Sequence, residues 1–411
     1  MTKSYLFVSK YEFLNLVTSF GFSQFILALS GYLRAIIFFP VTDNNALASW
    51  FFWQVVLPFA GLLYGHRINI SRISTIEKNV ATDIQTSKSY FSTIAFFLVV
   101  ILSLLIIVPE NSYISAILMG TIPFAIYVVF LRNTSWFVGN KIGQNEISKL
   151  NYLSILNSSI SLVVSFVLIY NTPWHKMSSD LQSLLMNFTL LIGSSFCTFI
   201  YYLACRHKII VRKVSISFRE SLTENAALFP PALISVIGAI MILVLLNSYS
   251  MIVFGLYAKL LLLLTIFSVS LTNRIMNVLH SESLGRNRFR ISGALLLLNT
   301  PVILALLFFH DELVAVISSN KVVPDWTVFY WLLAISLINS IWVVEIGNLI
   351  RISELRRSFG EFILKYVLLS MCIGFLVMIA FFGLHGLYAS IFFTYLLLIV
   401  IVNLKIRYDK M

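Results

Sequence analysis

The sequence predicts an all-α polytopic membrane protein of about twelve transmembrane helices in two six-helix lobes, and three observations predict it. Of its 411 residues, 59% are hydrophobic and only 11% charged, where soluble domains carry about 25% charged residues. The apolar residues gather into runs long enough to cross a bilayer. The connections between those runs alternate between basic and nearly free of lysine and arginine.

Taken in order, the runs fall at roughly 13–39, 46–66, 90–109, 113–131, 151–170, 183–205, 228–247, 251–272, 291–309, 327–348, 363–382 and 385–404. The first carries Glu12, Ser19, Ser23, Ser30 and Arg34 at spacings that place them on one helical face. The second opens on Trp50, Phe51, Phe52 and Trp53, read as an aromatic belt at the membrane interface. Pro58, Pro123 and Pro301 sit inside runs and are expected to kink their helices. A long basic connection, with Pro230 and Pro231 beyond it, separates six runs from six. The division this predicts is an N-terminal lobe over 1–210, a basic cytoplasmic linker over 211–227 and a C-terminal lobe over 228–411. An even number of spans restores orientation, so such lobes would be parallel repeats.

Charge sets the expected orientation. Both termini and the connections after even-numbered spans hold 25 of the 29 basic residues, and the opposite side holds only Lys176 and Lys321. The positive-inside rule then places both termini in the cytoplasm. The net charge of +12 is therefore topology, and nucleic acid is not an expected partner. No small-residue cleavage site follows MTKSYLFVSKYEF, so a cleavable signal is not expected. Cys197, Cys205 and Cys372 lie in or beside apolar runs without metal-ligand spacing, and no cofactor or metal is expected.

Two basic residues remain, Arg34 and Lys259, both inside spans. Each lies about nine residues from an outer turn, which at 1.5 Å per residue puts both roughly 13 Å below the outer surface. A lysine at the centre of a spanning helix costs about 2.5–3.5 kcal/mol by insertion scales, so it is kept where it faces a partner, a cavity or a ligand. Ser270, Asn273, Arg274 and Asn277 follow Lys259 on nearly one helical face. The acids in the spans, Glu12 and Glu345, lie near the cytoplasmic ends, too far along the axis to pair with either cation. A cationic site is favoured over a structural ion pair. Substrate-binding candidates are Arg34, Lys259, Ser23, Ser30, Ser270 and Asn273.

Several stretches together resemble the polysaccharide-flippase branch of the multidrug, oligosaccharidyl-lipid and polysaccharide exporter superfamily, in particular O-antigen flippases. They are FGLYAKLLLLLTIFSVSLTNRI in span 8, YGHRINISRI closing span 2, EISKLNYLSILNSSI entering span 5 and LHGLYASIFFTYLLLIVIV in span 12. The outer turn before span 2, DNNALAS, departs from the Tyr-Gly pair of many relatives. The resemblance implies a MATE-like bundle with its lobes around a central cavity, in the bacterial inner membrane. It also implies transfer of undecaprenyl-diphosphate-linked oligosaccharide, such as an O-antigen unit, from the cytoplasmic to the periplasmic leaflet by alternating access. Expected partners are that substrate, membrane lipids, and the polysaccharide polymerase and chain-length machinery. Relatives line the cavity with basic residues on spans 1, 2, 7 and 8, which is where Arg34 and Lys259 fall. A cation-coupled drug antiporter ranks lower, because that chemistry uses a buried carboxylate and the charges at mid-depth here are cations. A membrane glycosyltransferase or polymerase ranks lower too. The outer connections are short, and no Gly-rich phosphate loop with its Lys-Ser/Thr is present, so the chain is not expected to be an enzyme.

Overall fold

In hydrocarbon every backbone polar group has to be satisfied within its own segment, and apolar runs of this length do so as helices. The computed structural model describes residues 25–58, 81–86, 113–144, 146–206, 211–216, 223, 230–264, 284–351 and 353–408. In the N-terminal half these form α1 (Phe25–Phe38), α2 (44–58), α3 (Ile114–Gly143), α4 (Ile147–Asn171) and α5 (Ser179–Cys205). The C-terminal half gives α6 (Pro230–Leu245), α7 (Ser248–Leu264), α8 (Leu284–Ser318), α9 (Trp326–Arg351), α10 (Ser353–Phe362) and α11 (Leu368–Tyr408). A π-helical segment, Ile363–Val367, joins α10 to α11. Five described helical stretches are long and apolar enough to cross a membrane. The chain is a multi-pass membrane protein. The expected third span lies outside the described residues.

Local sequence explains where the helices depart from the expected runs. α3 runs twelve residues beyond the end expected near 131, reaching Gly143. At about 1.5 Å per residue its 30 residues exceed the ~30 Å hydrocarbon core, so its last turns leave the apolar layer. There Asn133 and Thr134 donate back to the carbonyls of Val129 and Phe130, and Phe137 packs on Tyr201 and Tyr202. At two of the three prolines the backbone stays helical. α3 stays helical through Pro123, and the non-helical residue in α8 is Phe309, eight positions after Pro301. A proline removes one backbone bond, which neighbouring helices can offset in a bundle. Gly383 (φ 56°, ψ −136°) divides α11 into two limbs, in a backbone region that only glycine occupies freely. The one strand pairing among the described residues is parallel, β1 (Ala81–Thr86) with β2 (Val211–Ile216), with Asp83 opposite Lys213. It ties the connection after α2 to the expected linker.

α5 packs along α3 and α4, while α9 packs against α7, α8 and α11. One apolar core runs through both halves, taking Phe39, Phe51 and Tyr113 from the first and Ile242, Phe254 and Leu256 from the second. α2 and α7 approach so closely that a Cβ on Gly255 would lie 2.3–2.4 Å from the Phe51 side chain. The aromatic run on α2 is therefore not an interfacial belt. Trp50, Phe51, Phe52 and Trp53 are all at most 1% exposed, because α2 is surrounded on every side. Trp53 donates to the Ile117 carbonyl of α3, and Trp50 rests against Phe38 of α1.

The turns after α1, α4, α6 and α8 and within α11 gather at one end of the bundle. Trp174 donates to Thr42 Oγ1 at 3.1 Å, Gln182 accepts from the Asp43 amide, and Tyr249 Oη accepts from the Val323 amide. Lys321 crosses from one half to the other and donates to the Thr42 carbonyl at 3.0 Å. A cavity of about 660 Å³ opens beside this contact, lined by Asp43, Gln182, Tyr249 and Lys321 among others.

Candidate functional site

Both cations are held at one turn of α1, Arg34 as a residue of that helix and Lys259 reaching it from the other half. Arg34, 7% exposed, points into a polar seam between α1, α4 and α5. Its Nη1 donates to Ser161 Oγ at 2.8 Å and to the Thr189 carbonyl at 3.5 Å, and its Nε reaches the Ser30 carbonyl at 3.4 Å. Ser161 in turn donates to the Thr189 carbonyl, and Ser30 donates to the Ser158 carbonyl at 3.0 Å. Ser158, Ser161 and Ser165 of α4 are buried along one face, which lets the helices approach and supplies hydroxyls where lipid could not. A Cβ on Gly193 would lie 3.0 Å from Arg34 Nη1, so glycine there leaves room for the guanidinium.

Lys259 comes from α7 in the other half. Its Nζ donates to the Gly31 carbonyl at 3.3 Å, three residues before Arg34. The same nitrogen lies 4.8 Å from the Trp50 ring centroid and 5.8 Å from that of Phe51. An ammonium has three donors, and among the described residues this one makes a single hydrogen bond, to a neutral group, plus contacts to ring faces. Neither Arg34 nor Lys259 has a carboxylate partner among the described residues. Two positive side chains from different halves are thus held at one level of α1 by carbonyls, hydroxyls and aromatic faces.

Of the other expected site residues, Ser30 joins this cluster through α1. Ser23, Ser270 and Asn273 lie outside the described residues, as do Glu12, Arg274 and Asn277. The reading by sequence missed Ser158, Ser161, Thr189 and Gly193, which build the Arg34 seat, and Gly31 and Trp50, which build that of Lys259. The small-residue spacing Ser161–Ser165 was the available signal. No single-helix pattern could have paired it with α1. A pair of cations of this kind, one buried and one half-buried, can bind an anion if the halves part enough to exchange neutral partners for charged ones.

No family model matches the sequence, and no curated protein matches it. Solved structures do match. An outward-facing multidrug resistance MATE family transporter of the MOP superfamily superposes over 95% of this chain and 94% of its own, with a TM-score of 0.59 at 14% identity. The fold is that of MATE transporters. A MATE point mutant and a MATE in complex with MaL6 superpose over the same shares, each with a TM-score of 0.52, at 15% and 12% identity. That first neighbour is outward-facing. In this chain the Lys321–Thr42, Lys259–Gly31 and Gly255–Phe51 contacts join the halves toward the end where the turns gather.

Proposed function

We propose that this chain is a flippase for polyprenyl-diphosphate-linked oligosaccharide, moving it from the cytoplasmic to the outer leaflet by alternating access. The observation that carries the reading is the pair Arg34 and Lys259: a buried and a half-buried cation from different halves, meeting at one turn of α1 and held by neutral groups. A diphosphate brings about two negative charges and several acceptor oxygens, which suits two cations better than the carbonyls they now touch. The isoprenoid tail needs no pocket, since it remains in lipid. The turn end is taken as the outer face, following the charge distribution of the loops. The drug-antiporter reading draws on the multidrug transporter among the structural neighbours. It lacks a carboxylate among the described residues at the level of Lys259 to take up a cationic drug.

Reconstituted vesicles carrying undecaprenyl-diphosphate oligosaccharide on one leaflet test the proposal against a cationic dye as competing substrate. Arg34→Ala and Lys259→Ala should each slow flipping about 10–100-fold, since each charge-assisted bond contributes about 1.5–3 kcal/mol. Lys259→Arg should keep most of the activity. Arg34→Lys, which preserves charge at the seam, separates loss of the cation from loss of packing. Wild-type flipping by the double alanine variant at equal abundance would end the idea, as would dye transport without flipping.

A further inference from the structure

The cavity at the turn end is built by both halves and lies apart from the cationic cluster. Its volume of about 660 Å³ falls in the range of pockets that enclose a small organic ligand. One wall is the turn after α1 with the start of α5, carrying Asp43, Asn44 and Gln182. The other is the start of α7 with the 319–325 loop, carrying Tyr249, Ile252 and Lys321. Ile252 and Lys259 are seven residues apart on α7. At 1.5 Å per residue the cavity therefore stands roughly 10 Å from Lys259, toward the turn end.

Hydrogen bonding within the walls separates the groups that build the cavity from those that face it unused. Gln182 belongs to the frame: its Oε1 accepts from the Asp43 amide and its Nε2 donates to the Trp174 carbonyl. Asp43 Oδ2 accepts from the Asn45 amide and the Ser179 hydroxyl, which fixes the carboxylate and leaves Oδ1 as an acceptor. Lys321 gives one hydrogen to the Thr42 carbonyl at 3.0 Å and keeps two. The Tyr249 hydroxyl accepts from the Val323 amide at 3.3 Å and keeps its own hydrogen to donate. Asp43 and Lys321 both line the cavity, yet they make no ion pair with each other among the described residues. Asn44 adds an exposed amide to the same wall, and His175 an exposed imidazole.

The unused groups define the ligand. An anion would gain Lys321 and meet Asp43, and a cation the reverse, so neither sign of net charge is favoured. A neutral molecule that both donates and accepts at closely spaced atoms satisfies the two together. Sugar hydroxyls do this: one donates to Asp43 Oδ1 while another accepts from Lys321 or Tyr249. Both of the charged contacts are of the stronger kind of hydrogen bond. The Tyr249 ring, Met177 and Ile252 supply an apolar surface for the C–H face of a sugar ring.

We propose that the turn-end cavity is a carbohydrate-binding site for neutral sugar rings, placed to hold a glycan on the outer side of the protein. Its two charges come from opposite halves, so the site is complete only while the turn end is closed. That the sugar belongs to a lipid-linked oligosaccharide rests on the flippase reading. The site itself does not.

Saturation-transfer NMR on the purified full chain in detergent tests this with sugars that carry neither lipid nor phosphate. The probes are the oligosaccharide cut by mild acid from the carrier used in the flipping assay, and free glucose, galactose, rhamnose and N-acetylglucosamine. Signal should pass from the protein to at least one of them. Asp43→Asn and Lys321→Gln should each weaken that binding about tenfold, since each removes a bond to a charged group. Asn44→Ala changes only an exposed side chain and should weaken it severalfold. Glu312→Gln, at the same end but outside the cavity, should bind as the wild type does. Transfer to none of the probes overturns the proposal, as does binding that survives both Asp43→Asn and Lys321→Gln. Should Lys321→Gln disturb the closed turn end, undiminished binding in both Asp43→Asn and Asn44→Ala overturns it instead. Displacement of the sugar by glycine would also overturn it, because a zwitterion uses the two charges and has no hydroxyls. Sugar binding without flipping of the lipid-linked oligosaccharide would count against the flippase reading alone. Flipping without sugar binding would end this site and leave that reading standing.

Discussion

Lys259 and Arg34 show how a charge is kept inside a bilayer with no acid partner among the described residues. Insertion of each costs about 2.5–3.5 kcal/mol. A dry cation–π contact offsets up to about 2 kcal/mol, and bonds from a charged donor to neutral acceptors contribute about 1.5–3 kcal/mol. These magnitudes leave each residue close to balance with its present partners. An anion offering charge-assisted bonds can therefore displace those partners with a net gain, which a preformed ion pair would not allow. The Arg34 seat is tight enough to test by crowding. Gly193→Ala places a methyl 3.0 Å from Nη1 and 2.9 Å from Ser161 Oγ, and overpacking of this kind costs about 1–3 kcal/mol. Thermal unfolding in detergent should show that loss. Adding Arg34→Ala should recover part of it, because the shorter side chain vacates the space. Additive losses in the double variant would mean that the guanidinium is not what the methyl meets.

At the scale of helices, the decisive contact is α2 against α7. Gly255 is the residue that lets a helix of one half lie on the aromatic run of the other, and its place opposite Phe51 accounts for the burial of that ring. Gly255→Leu would insert a branched side chain where even a Cβ lies 2.3 Å from the ring. The expected result is a wedge that parts the halves at the turn end, costing the closed state about 1–3 kcal/mol. That is a roughly 5- to 150-fold shift toward long separations in the distance populations of spin labels placed at Lys176 and Glu312, exposed residues of opposite halves near the turn end. Phe51→Ala in the same chain should reverse much of it. Unchanged distances in Gly255→Leu would show that α7 does not hold the seam shut. The sequence made the aromatic run visible but placed it at the interface, because composition alone cannot distinguish a belt facing headgroups from a helix enclosed by its neighbours.

Over the whole molecule, the five turns gathered at one end carry Lys176 and Lys321, whereas the opposite end of α3 and the start of α4 carry Arg132, Lys141 and Lys149. Glu146 joins that basic end, where its bonds to Lys149 and Lys141 hold its carboxyl below the usual range. Single cysteines at Asn320 and Gln144, in a chain freed of Cys197, Cys205 and Cys372, test the sidedness this predicts. A membrane-impermeant thiol reagent added to intact cells should label position 320 and spare position 144 until the membrane is opened. The reverse pattern would invert the direction of transport proposed above.

Sequence by itself determined that this chain lives in a membrane and spans it repeatedly. It also singled out Arg34 and Lys259, because lipid tolerates so few charges that each exception stands out. The same logic gave the helical register of Ser30 and Arg34, which depends only on 3.6 residues per turn. Tertiary structure alone decided which groups satisfy those cations. Ser161 and Thr189 lie 127 and 155 residues from Arg34, and Gly31 lies 228 from Lys259. Partners so far apart leave no periodic trace in a single chain. The turn-end cavity was invisible for the same reason: its walls come from both halves, and Lys321 lies 279 residues from the Thr42 whose carbonyl it meets. Only the packing of the halves brings those turns to one end and sets Asp43 and Lys321 on the walls of one cavity.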